Sequence, residues 1–246
     1  MSEVLISRRG GGGGGSATYV TQDTEPSNTK LLWIDSSDDN IMKYYNGSAW
    51  VSIYMSWDKL KEITKVDVSA LSVARDSLSA TTIGNYALFG GGWTNDSSNN
   101  QSTITVDAYD TSLTRSTPTA LSVARCDLAA TTVGDYALFG GGWANDSSSN
   151  QSAVDAYDTS LTRSTPTALS VARCRLAATT VGDYALFGGG STGERVTTVD
   201  AYDTSLTRST PTALSEARKD LAATTIGNYA LFGGGWANDS SSNQSA

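Results

Sequence analysis

Near-identical repeats fill the chain from residue 66 onward, and they constrain its fold more than any other feature. The string Tyr-Ala-Leu-Phe-Gly-Gly-Gly recurs at steps of 50, 48 and 45 residues, and a second string, Ala-Leu-Ser-Val-Ala-Arg, recurs at the same steps with one substitution in its last copy. A unit of this length cannot bury both faces of its sheet alone, so neighbouring units must stack. The copies begin at Tyr86, Tyr136, Tyr184 and Tyr229, and at Ala70, Ala120, Ala168 and Ala213.

Each repeat predicts four short antiparallel strands, a to d. Tyr, Phe, Val and Thr favour a pleated, half-buried surface, and glycine pairs mark the turns between the strands. Proline is tolerated at the start of a strand but not in the middle of a sheet, so strand d is predicted to begin near Pro166. In the second repeat the predicted strands are Leu128–Val133, Tyr136–Phe139, Val154–Tyr157 and roughly Thr165–Val171.

The fourth repeat is predicted to contribute strands a and b only. Residues 65–75 contain an additional copy of the strand d sequence ahead of the first repeat. We expect this segment to pair into the last sheet and close the array, which would cover an otherwise exposed edge. One further strand would then come from the N-terminal module or from another subunit.

The repeats resemble the Kelch family. The resemblance is carried by the glycines after an apolar strand, as in Leu138-Phe-Gly-Gly141, and by the string Val154-Asp-Ala-Tyr-Asp158 about a dozen residues later. The chain departs from the family pattern at Thr159–Arg163, where a tryptophan is usual. The resemblance implies an all-β fold, a Kelch-type β-propeller of four repeat units over residues 66–246.

The first 65 residues divide into a tail, a small module and a linker. Gly10–Gly15 form an unbroken glycine run, so residues 1–16 are predicted to be a flexible tail. Residues 17–57 predict a β-hairpin attachment module, with a strand at 31–34 and hairpin strands at 41–45 and 49–54. Asn46-Gly47 favours a type I′ turn between the hairpin strands. Residues 58–65 are predicted to be a linker.

The string from Leu32 to Trp50 is similar to a small module of bacteriophage tail, fibre and other virion proteins. It runs Leu-Trp-Ile-Asp-Ser-Ser-Asp-Asp-Asn-Ile-Met-Lys-Tyr-Tyr-Asn-Gly-Ser-Ala-Trp. The resemblance implies a component of a virus particle. An ordinary small hairpin that caps the repeats is the alternative.

Composition disfavours several classes of function. The net charge of −8 comes without a basic stripe, so nucleic acid is not an expected partner. The chain has no histidine, the commonest general base and metal ligand. No apolar run reaches the length of a membrane span, and the N-terminus has no signal-peptide core. We therefore expect synthesis in a host cytoplasm, no membrane insertion and no cofactor.

Four groups of residues are candidates for sites of chemistry, and each has a simpler structural interpretation. Repeated carboxylate pairs resemble acid–base pairs, but identical copies favour hydrogen bonding at strand ends. The loop Asn145–Asn150 is rich in oxygen atoms but lacks a spaced carboxylate set for calcium. The arginines that close each Ala-Leu-Ser-Val-Ala-Arg copy could form a ring for an anion or pair within sheets. Cys126 and Cys174 have no histidine to activate them, so they favour packing over reactivity. The repeated carboxylates are Asp107, Asp155 and Asp200, with Asp110, Asp158 and Asp203. The repeated arginines are Arg75, Arg125, Arg173 and Arg218.

The positions that differ between repeats predict the binding surface. They lie after the repeated arginine and after the glycine run, and strand parity places both on the same side of the array. Variation confined to one side, together with tryptophan, is typical of a recognition surface, although drift in solvated loops would also produce it. We call this set the variable rim, and expect its tryptophans to be exposed. It comprises Asp76, Ser77, Trp93, Cys126, Asp127, Trp143, Cys174, Arg175, Lys219, Asp220 and Trp236.

Taken together, the sequence predicts a non-enzymatic virion structural protein, a baseplate, fibre or appendage component. Its N-terminal segment would contact other virion proteins, and its repeats would bind a host-surface glycan or protein. A homo-oligomer is expected. A capsid-surface decoration protein and a polysaccharide-acting propeller enzyme are the alternatives.

Overall fold

The computed structural model describes residues 4–6, 17–22, 24–25, 32–35, 41–52, 68–96, 99–146 and 149–237. These residues form strands, turns and irregular segments, with no helix among them. Across these ranges, no helix has the length and apolar character needed to cross a membrane. The chain divides into two compact units, residues 1–66 and residues 67–246.

The described residues of the first unit form a five-stranded sheet with the order β1-β2-β3-β4-β5. β2 and β3 are parallel, whereas the other neighbouring pairs are antiparallel. The predicted strand at 31–34 is present as β3, and the predicted hairpin is present as β4 and β5. The strands are β1 (Val4–Ile6), β2 (Ala17–Gln22), β3 (Leu32–Asp35), β4 (Ile41–Tyr45) and β5 (Trp50–Ser52).

The segment predicted to be a flexible tail contains a strand. Val4–Ile6 pair with Ala17–Tyr19, so the apolar residues that precede the glycine run add an edge strand to the sheet. The glycine run itself lies outside the described residues, and so does the predicted linker at 58–65. The prediction of a flexible tail rested on the glycine run alone and took no account of the short apolar string Val4–Ile6 before it.

The hairpin turn differs from the predicted type I′ turn. Tyr45 pairs with Trp50, which leaves the four-residue loop from Asn46 to Ala49. The side-chain oxygen of Asn46 accepts hydrogen bonds of 2.9 Å from the backbone N–H groups of both Ser48 and Ala49. Gly47 takes a φ of 101°, but Asn46 does not take the positive φ that a type I′ turn requires. The Asn46 side chain therefore organises a longer loop, as asparagine commonly does in turns.

The second unit repeats a four-stranded antiparallel sheet. The first sheet is β6-β7-β10-β11, the second is β12-β13-β16-β17 and the third is β18-β19-β20-β21. Within the described residues, the fourth sheet contains β23 and β24 only. The strands are β6 (Ser79–Ile83), β7 (Tyr86–Gly90), β8 (Trp93–Asp96), β9 (Asn99–Ser102), β10 (Val106–Tyr109), β11 (Arg115–Ser116), β12 (Ala129–Val133), β13 (Tyr136–Gly140), β14 (Trp143–Ala144), β15 (Ser149–Asn150), β16 (Val154–Asp158), β17 (Arg163–Ser164), β18 (Ala177–Val181), β19 (Tyr184–Gly188), β20 (Val199–Asp203), β21 (Arg208–Ser209), β22 (Arg218–Lys219), β23 (Ala222–Ile226), β24 (Tyr229–Gly233) and β25 (Trp236–Ala237).

Strands a, b and c lie where the sequence predicts them, but strand d does not. In the second sheet the fourth strand is β17, which pairs with Ala156 and Tyr157 of β16. The predicted strand at 165–171 is irregular instead. The physical reason is that Pro166 has no N–H to donate to a sheet, so the chain leaves the ladder just before it.

The Ala-Leu-Ser-Val-Ala-Arg string attaches to the sheet that follows it. Residues 68–75 are not a strand. The backbone N–H of Ser72 donates to the Asp107 carboxylate, and the Tyr109 hydroxyl donates to the carbonyl of Ser69. The predicted use of this segment as a strand d that closes the last sheet is therefore wrong, because its polar groups are bonded to the first sheet.

The apolar core lies between neighbouring sheets. One cluster joins side chains of the first and second sheets, including Leu88 and Phe139, and another joins the second and third, including Leu138 and Phe187. Hydroxyl groups of the innermost strands also meet across each interface, as in the 2.9 Å contact of Thr81 with Thr132. The described part of the chain is therefore all-β, and the stacked antiparallel sheets of the second unit are consistent with a propeller-like fold.

The fourth sheet has a more exposed surface than its predecessors. Tyr229 is 72% exposed and Leu231 is 51% exposed, whereas Leu88 and Leu138, at the position of Leu231, are fully buried. The difference arises because, among the described residues, no further sheet packs on this face.

Candidate binding rim

The two variable positions of each repeat lie side by side. The residue after the repeated arginine forms an antiparallel bridge with the residue after the glycine run. Asp76 and Trp93 exchange two backbone hydrogen bonds, of 2.8 and 3.0 Å. The structure thus brings together the connections that strand parity placed on one side. The bridged pairs are Asp76 with Trp93, Cys126 with Trp143, Cys174 with Ser191, and Lys219 with Trp236.

The glycine run makes this close pairing feasible. Gly92 has a φ of 113°, and a Cβ atom there would lie 2.6 Å from the carbonyl oxygen of Asp76. Gly142 repeats this arrangement against Cys126, with a distance of 2.7 Å. A larger residue at either position would combine an unfavourable backbone conformation with a clash, so glycine sets the approach of the two connections.

The second variable position links consecutive repeats. The N–H of Asp127 donates to the carbonyl of Ser77, that of Arg175 to Asp127, and that of Asp220 to Arg175, at 2.8 to 3.0 Å. All four residues have φ between 52° and 55°, in the left-handed region. Non-glycine residues adopt this conformation at a cost. Sequence reasoning missed this ladder because arginine and serine carry no signal for a left-handed backbone.

Eight residues of the variable rim line one groove, with a volume of about 380 Å³. This first groove lies along the first two repeats and extends to the start of the third. Its lining residues are Asp76, Ser77, Trp93, Cys126, Asp127, Trp143, Cys174 and Arg175.

A second groove, of about 510 Å³, continues from the first, since both are lined by Trp143, Cys174 and Arg175. It adds six residues that do not belong to the variable rim as defined above. Five of them lie in loops that follow a glycine run, a position that could have identified them, whereas Ala172 lies in the connection before Arg173. The added residues are Ser149, Asn150, Ala172, Ser191, Thr192 and Gly193.

The tryptophans of the rim are less exposed than predicted. The rings of Trp93 and Trp143 lie 5.8 Å apart with an angle of 38° between their planes, and both side chains are half-buried. Only Trp236 among the three is open to solvent, at 45% exposed. The physical reason is that stacking of repeats brings the first two rings into contact, so each covers part of the other.

The cysteines of the rim lie at the base of the grooves. Cys126 is 5% exposed and Cys174 is 9% exposed, and both thiols are free. Burial raises the pKa of the Cys126 thiol to about 12 and also raises that of Cys174. The buried position fits the packing role that the sequence favoured over a reactive thiol, and it leaves little of either side chain for a ligand.

Charge in the grooves is partly neutralised. Arg175 pairs with Asp127 across two repeats, with 3.4 Å between Nε and Oδ2. Burial alone would lower the pKa of Arg175, but Asp127, together with Asp220 and Cys174, outweighs this effect and raises it. Lys219, Asp220 and Trp236 belong to the fourth repeat and line neither groove, so the structure gathers most but not all of the predicted rim.

Among the described residues, the repeated arginines do not form the anion-binding ring that the sequence left open. Arg125 is fully buried and pairs with Asp155 at 2.7 Å, and Arg163 contacts the other oxygen of that carboxylate at 3.0 Å. The first and third repeats contain the same cluster around Asp107 and Asp200. The guanidinium groups of Arg75, Arg125 and Arg173 are thus paired with a strand c carboxylate of the following sheet, and that of Arg218 pairs with Glu216 at 2.9 Å.

The remaining repeated carboxylates shape turns. The Asp158 carboxylate accepts hydrogen bonds of 2.8 and 2.9 Å from the N–H groups of Ser160 and Thr162. Asp110 and Asp203 make the same contacts in their repeats. Residues 147 and 148 of the oxygen-rich loop lie outside the described residues, and the described part contains no group of three or more acidic, cysteine or histidine side chains that could hold a metal ion.

The chain matches no known protein-family model, and no curated protein resembles it closely enough to count as a relative.

Proposed function

We propose that the chain is a non-enzymatic structural and binding protein of a bacteriophage or phage-tail-like particle. Four Kelch-type repeats would present the variable rim to a host surface or to another particle protein, and the N-terminal module would attach the chain to the particle. Self-association of the chain is part of this proposal.

The main support for the binding role is that residues of the variable rim are joined by backbone hydrogen bonds and line two adjoining grooves. In each repeat the backbone pairs the variable position after the arginine with the position after the glycine run, and the left-handed ladder joins one repeat to the next. The repeated positions around them hold the scaffold through buried ion pairs and glycine contacts. A constant scaffold that displays variable residues at one side is the arrangement expected of a recognition module.

The particle role rests on the string from Leu32 to Trp50, which resembles virion modules. In the structure this string supplies β3, β4 and the first residue of β5 of the N-terminal sheet. Tyr45 and Trp50 pack edge to face at 5.7 Å, so these two aromatic residues of the string stabilise the hairpin.

A combined tryptophan variant tests the binding role. Binding of the labelled full chain to cells of the host bacterium should fall at least tenfold in Trp93→Ser/Trp143→Ser/Trp236→Ser, because tryptophan is prominent among residues that dominate binding energy. The change is compatible with folding, since Trp143→Ser would reproduce the natural pair of Cys174 and Ser191.

The matched control is Asp135→Asn/Asp183→Asn, in the turns between strands a and b on the opposite side. The corresponding turn residues of the first and fourth repeats, Asn85 and Asn228, are asparagine already. Equal binding by both variants and the parent chain would contradict a recognition role for the rim.

Purified particles test the particle role. Peptides of this chain should be detected by mass spectrometry in particles that have been washed at high salt, and antibody labelling in electron micrographs should place it on the tail. Label on the capsid surface would favour a decoration protein instead, and absence of the chain from the particles would overturn the particle role.

A further inference from the structure

We propose that the two grooves form one extended site for a neutral oligosaccharide. The inference rests on the binding role proposed for the rim, and it adds the chemical class of the ligand and the residues that recognise it. Because the grooves share Trp143 and Arg175 and follow consecutive repeats, the ligand that fills them is elongated.

The aromatic surface of the first groove fits a flat, partly apolar ligand. Trp93 and Trp143 both line this groove, and their rings contact each other at 5.8 Å with a tilt of 38°, so two adjoining aromatic side chains form part of its wall. An aromatic face carries partial negative charge, which attracts the slightly positive C–H groups on one side of a sugar ring. Tryptophan provides the largest such face, and it holds its shape with two rotatable bonds.

The polar groups around this surface suit a ligand that is rich in hydroxyl groups. Asp76 and Asp127 offer acceptors only, whereas Arg175 offers donors only. Asn150 and Thr192 in the second groove provide both. A sugar hydroxyl donates and accepts at once, so neighbouring hydroxyls of one sugar satisfy both kinds of partner.

The charge distribution favours a neutral saccharide over an ionic polymer. The charges of the first groove largely offset one another, because Arg175 lies against Asp127 with 3.4 Å between Nε and Oδ2. Arg175 also lines the second groove. Neither a polyanion nor a cationic chain would therefore meet a continuous surface of opposite charge, whereas a neutral chain needs none.

Binding of the full chain to host cells after selective surface treatment tests the ligand class. Periodate, which cleaves vicinal diols of sugars, should abolish binding, whereas protease treatment of the cells should leave it within twofold. Loss of binding after protease alone would overturn the saccharide and indicate a protein receptor. Absence of binding to untreated cells would instead contradict the binding role itself.

Competition with polysaccharide purified from the same cells tests the extended site. Neutral fragments of four or more sugars should inhibit binding at least tenfold more strongly than the monosaccharides, and polylysine and heparin should not inhibit. Equal inhibition by monosaccharides would overturn the extended site, and inhibition by polylysine alone would overturn the ligand class.

Single variants assign the contacts. Trp143→Ser should weaken binding at least tenfold and more than Trp93→Ser, because Trp143 lines both grooves and Trp93 lines only the first. Tyr184→Ser is the matched control, an aromatic residue that is 49% exposed beside the turn between strands a and b. Circular dichroism confirms that each variant is folded. Equal losses in Trp143→Ser and Tyr184→Ser would overturn the assignment.

Discussion

At the scale of single residues, the buried aspartate of strand c holds each complete repeat together. Asp155 accepts hydrogen bonds from Arg125 in the preceding connection, from Arg163 in strand d and from the backbone of Ser122. These donors come from two parts of the repeat, the preceding connection and strand d, and Asp155 ties both to strand c. Asp155 and Arg125 are fully buried. Removing one partner of a buried pair leaves the other charge uncompensated, which costs more than the pair itself contributes.

Asp155→Asn should therefore lower the free energy of unfolding by about 3–5 kcal/mol, since Arg125 loses its counter-charge. Urea denaturation followed by circular dichroism measures the change. Asp135→Asn is the matched control, because Asp135 is exposed in a turn, and its effect should stay within about 0.5 kcal/mol. A similar decrease in the free energy of unfolding in both variants would show that the buried cluster contributes no more to stability than an exposed turn residue.

The cysteines provide a second test at this scale. Burial raises the pKa of Cys126 to about 12, so the thiolate is scarce at pH 8. Neither cysteine of the folded chain should react with a chromogenic disulfide reagent over an hour, and both should react once urea unfolds the protein. Labelling of the folded chain at the rate of a free cysteine would show that the bases of the grooves are open.

At the scale of elements, each sheet packs on the next through a glycine at the end of strand b. The position of a Cβ on Gly140 is 2.8 Å from Cε1 of Phe187, and Gly90 and Gly188 face Phe139 and Phe232 in the same way. Phe187 also packs edge to face against Tyr202, which limits its freedom to move away. The glycine therefore sets the distance between sheets.

Gly140→Ala should lower the free energy of unfolding by about 1–3 kcal/mol, because the added methyl overpacks the interface with Phe187. Gly233 is the matched control. It occupies the same position in the fourth repeat, but a Cβ there meets nothing within 4 Å. Gly233→Ala should be neutral or slightly stabilising in the same urea experiment. Equal destabilisation by the two variants would contradict glycine as the spacer.

At the scale of the whole molecule, acid should act on several repeats at once. Burial alone would raise the pKa of Asp107, but hydrogen bonds from Ser72, Arg75 and Arg115 outweigh it and hold the pKa below its usual range. The pKa of Asp200 is lowered in the same way, chiefly by Arg173 and Ser170 against the effect of burial. Each carboxylate is thus easier to ionise in the folded state than in the unfolded state.

The sign of the pH dependence follows from this difference. The stabilisation is complete above the unfolded pKa, near pH 4, and it is lost as the pH falls through the lower folded values. Urea midpoints measured between pH 7 and pH 2.5 should therefore fall steeply below about pH 4. A midpoint that stays constant or rises on acidification would show that these clusters do not stabilise the folded chain.

The sequence by itself determined the features that depend on local residues and on repetition. Strands a, b and c, the N-terminal hairpin and the placement of the variable positions on one side follow from apolar patterns, turn residues and strand parity. These signals lie within a few residues of one another, so no distant partner is needed to read them. The packing role of Cys126 and Cys174 also followed, because the chain lacks a histidine that could activate them.

Only the tertiary structure decided the features whose partners lie in another part of the chain. Arg125 is buried because Asp155 meets it from strand c, and Trp93 is half-covered because stacking brings Trp143 against it. The position of strand d, the edge strand β1 and the left-handed ladder through Asp127 likewise depend on groups outside their own segments. A sequence pattern records what a segment can form, whereas burial and hydrogen bonding to a distant partner decide which form is stable.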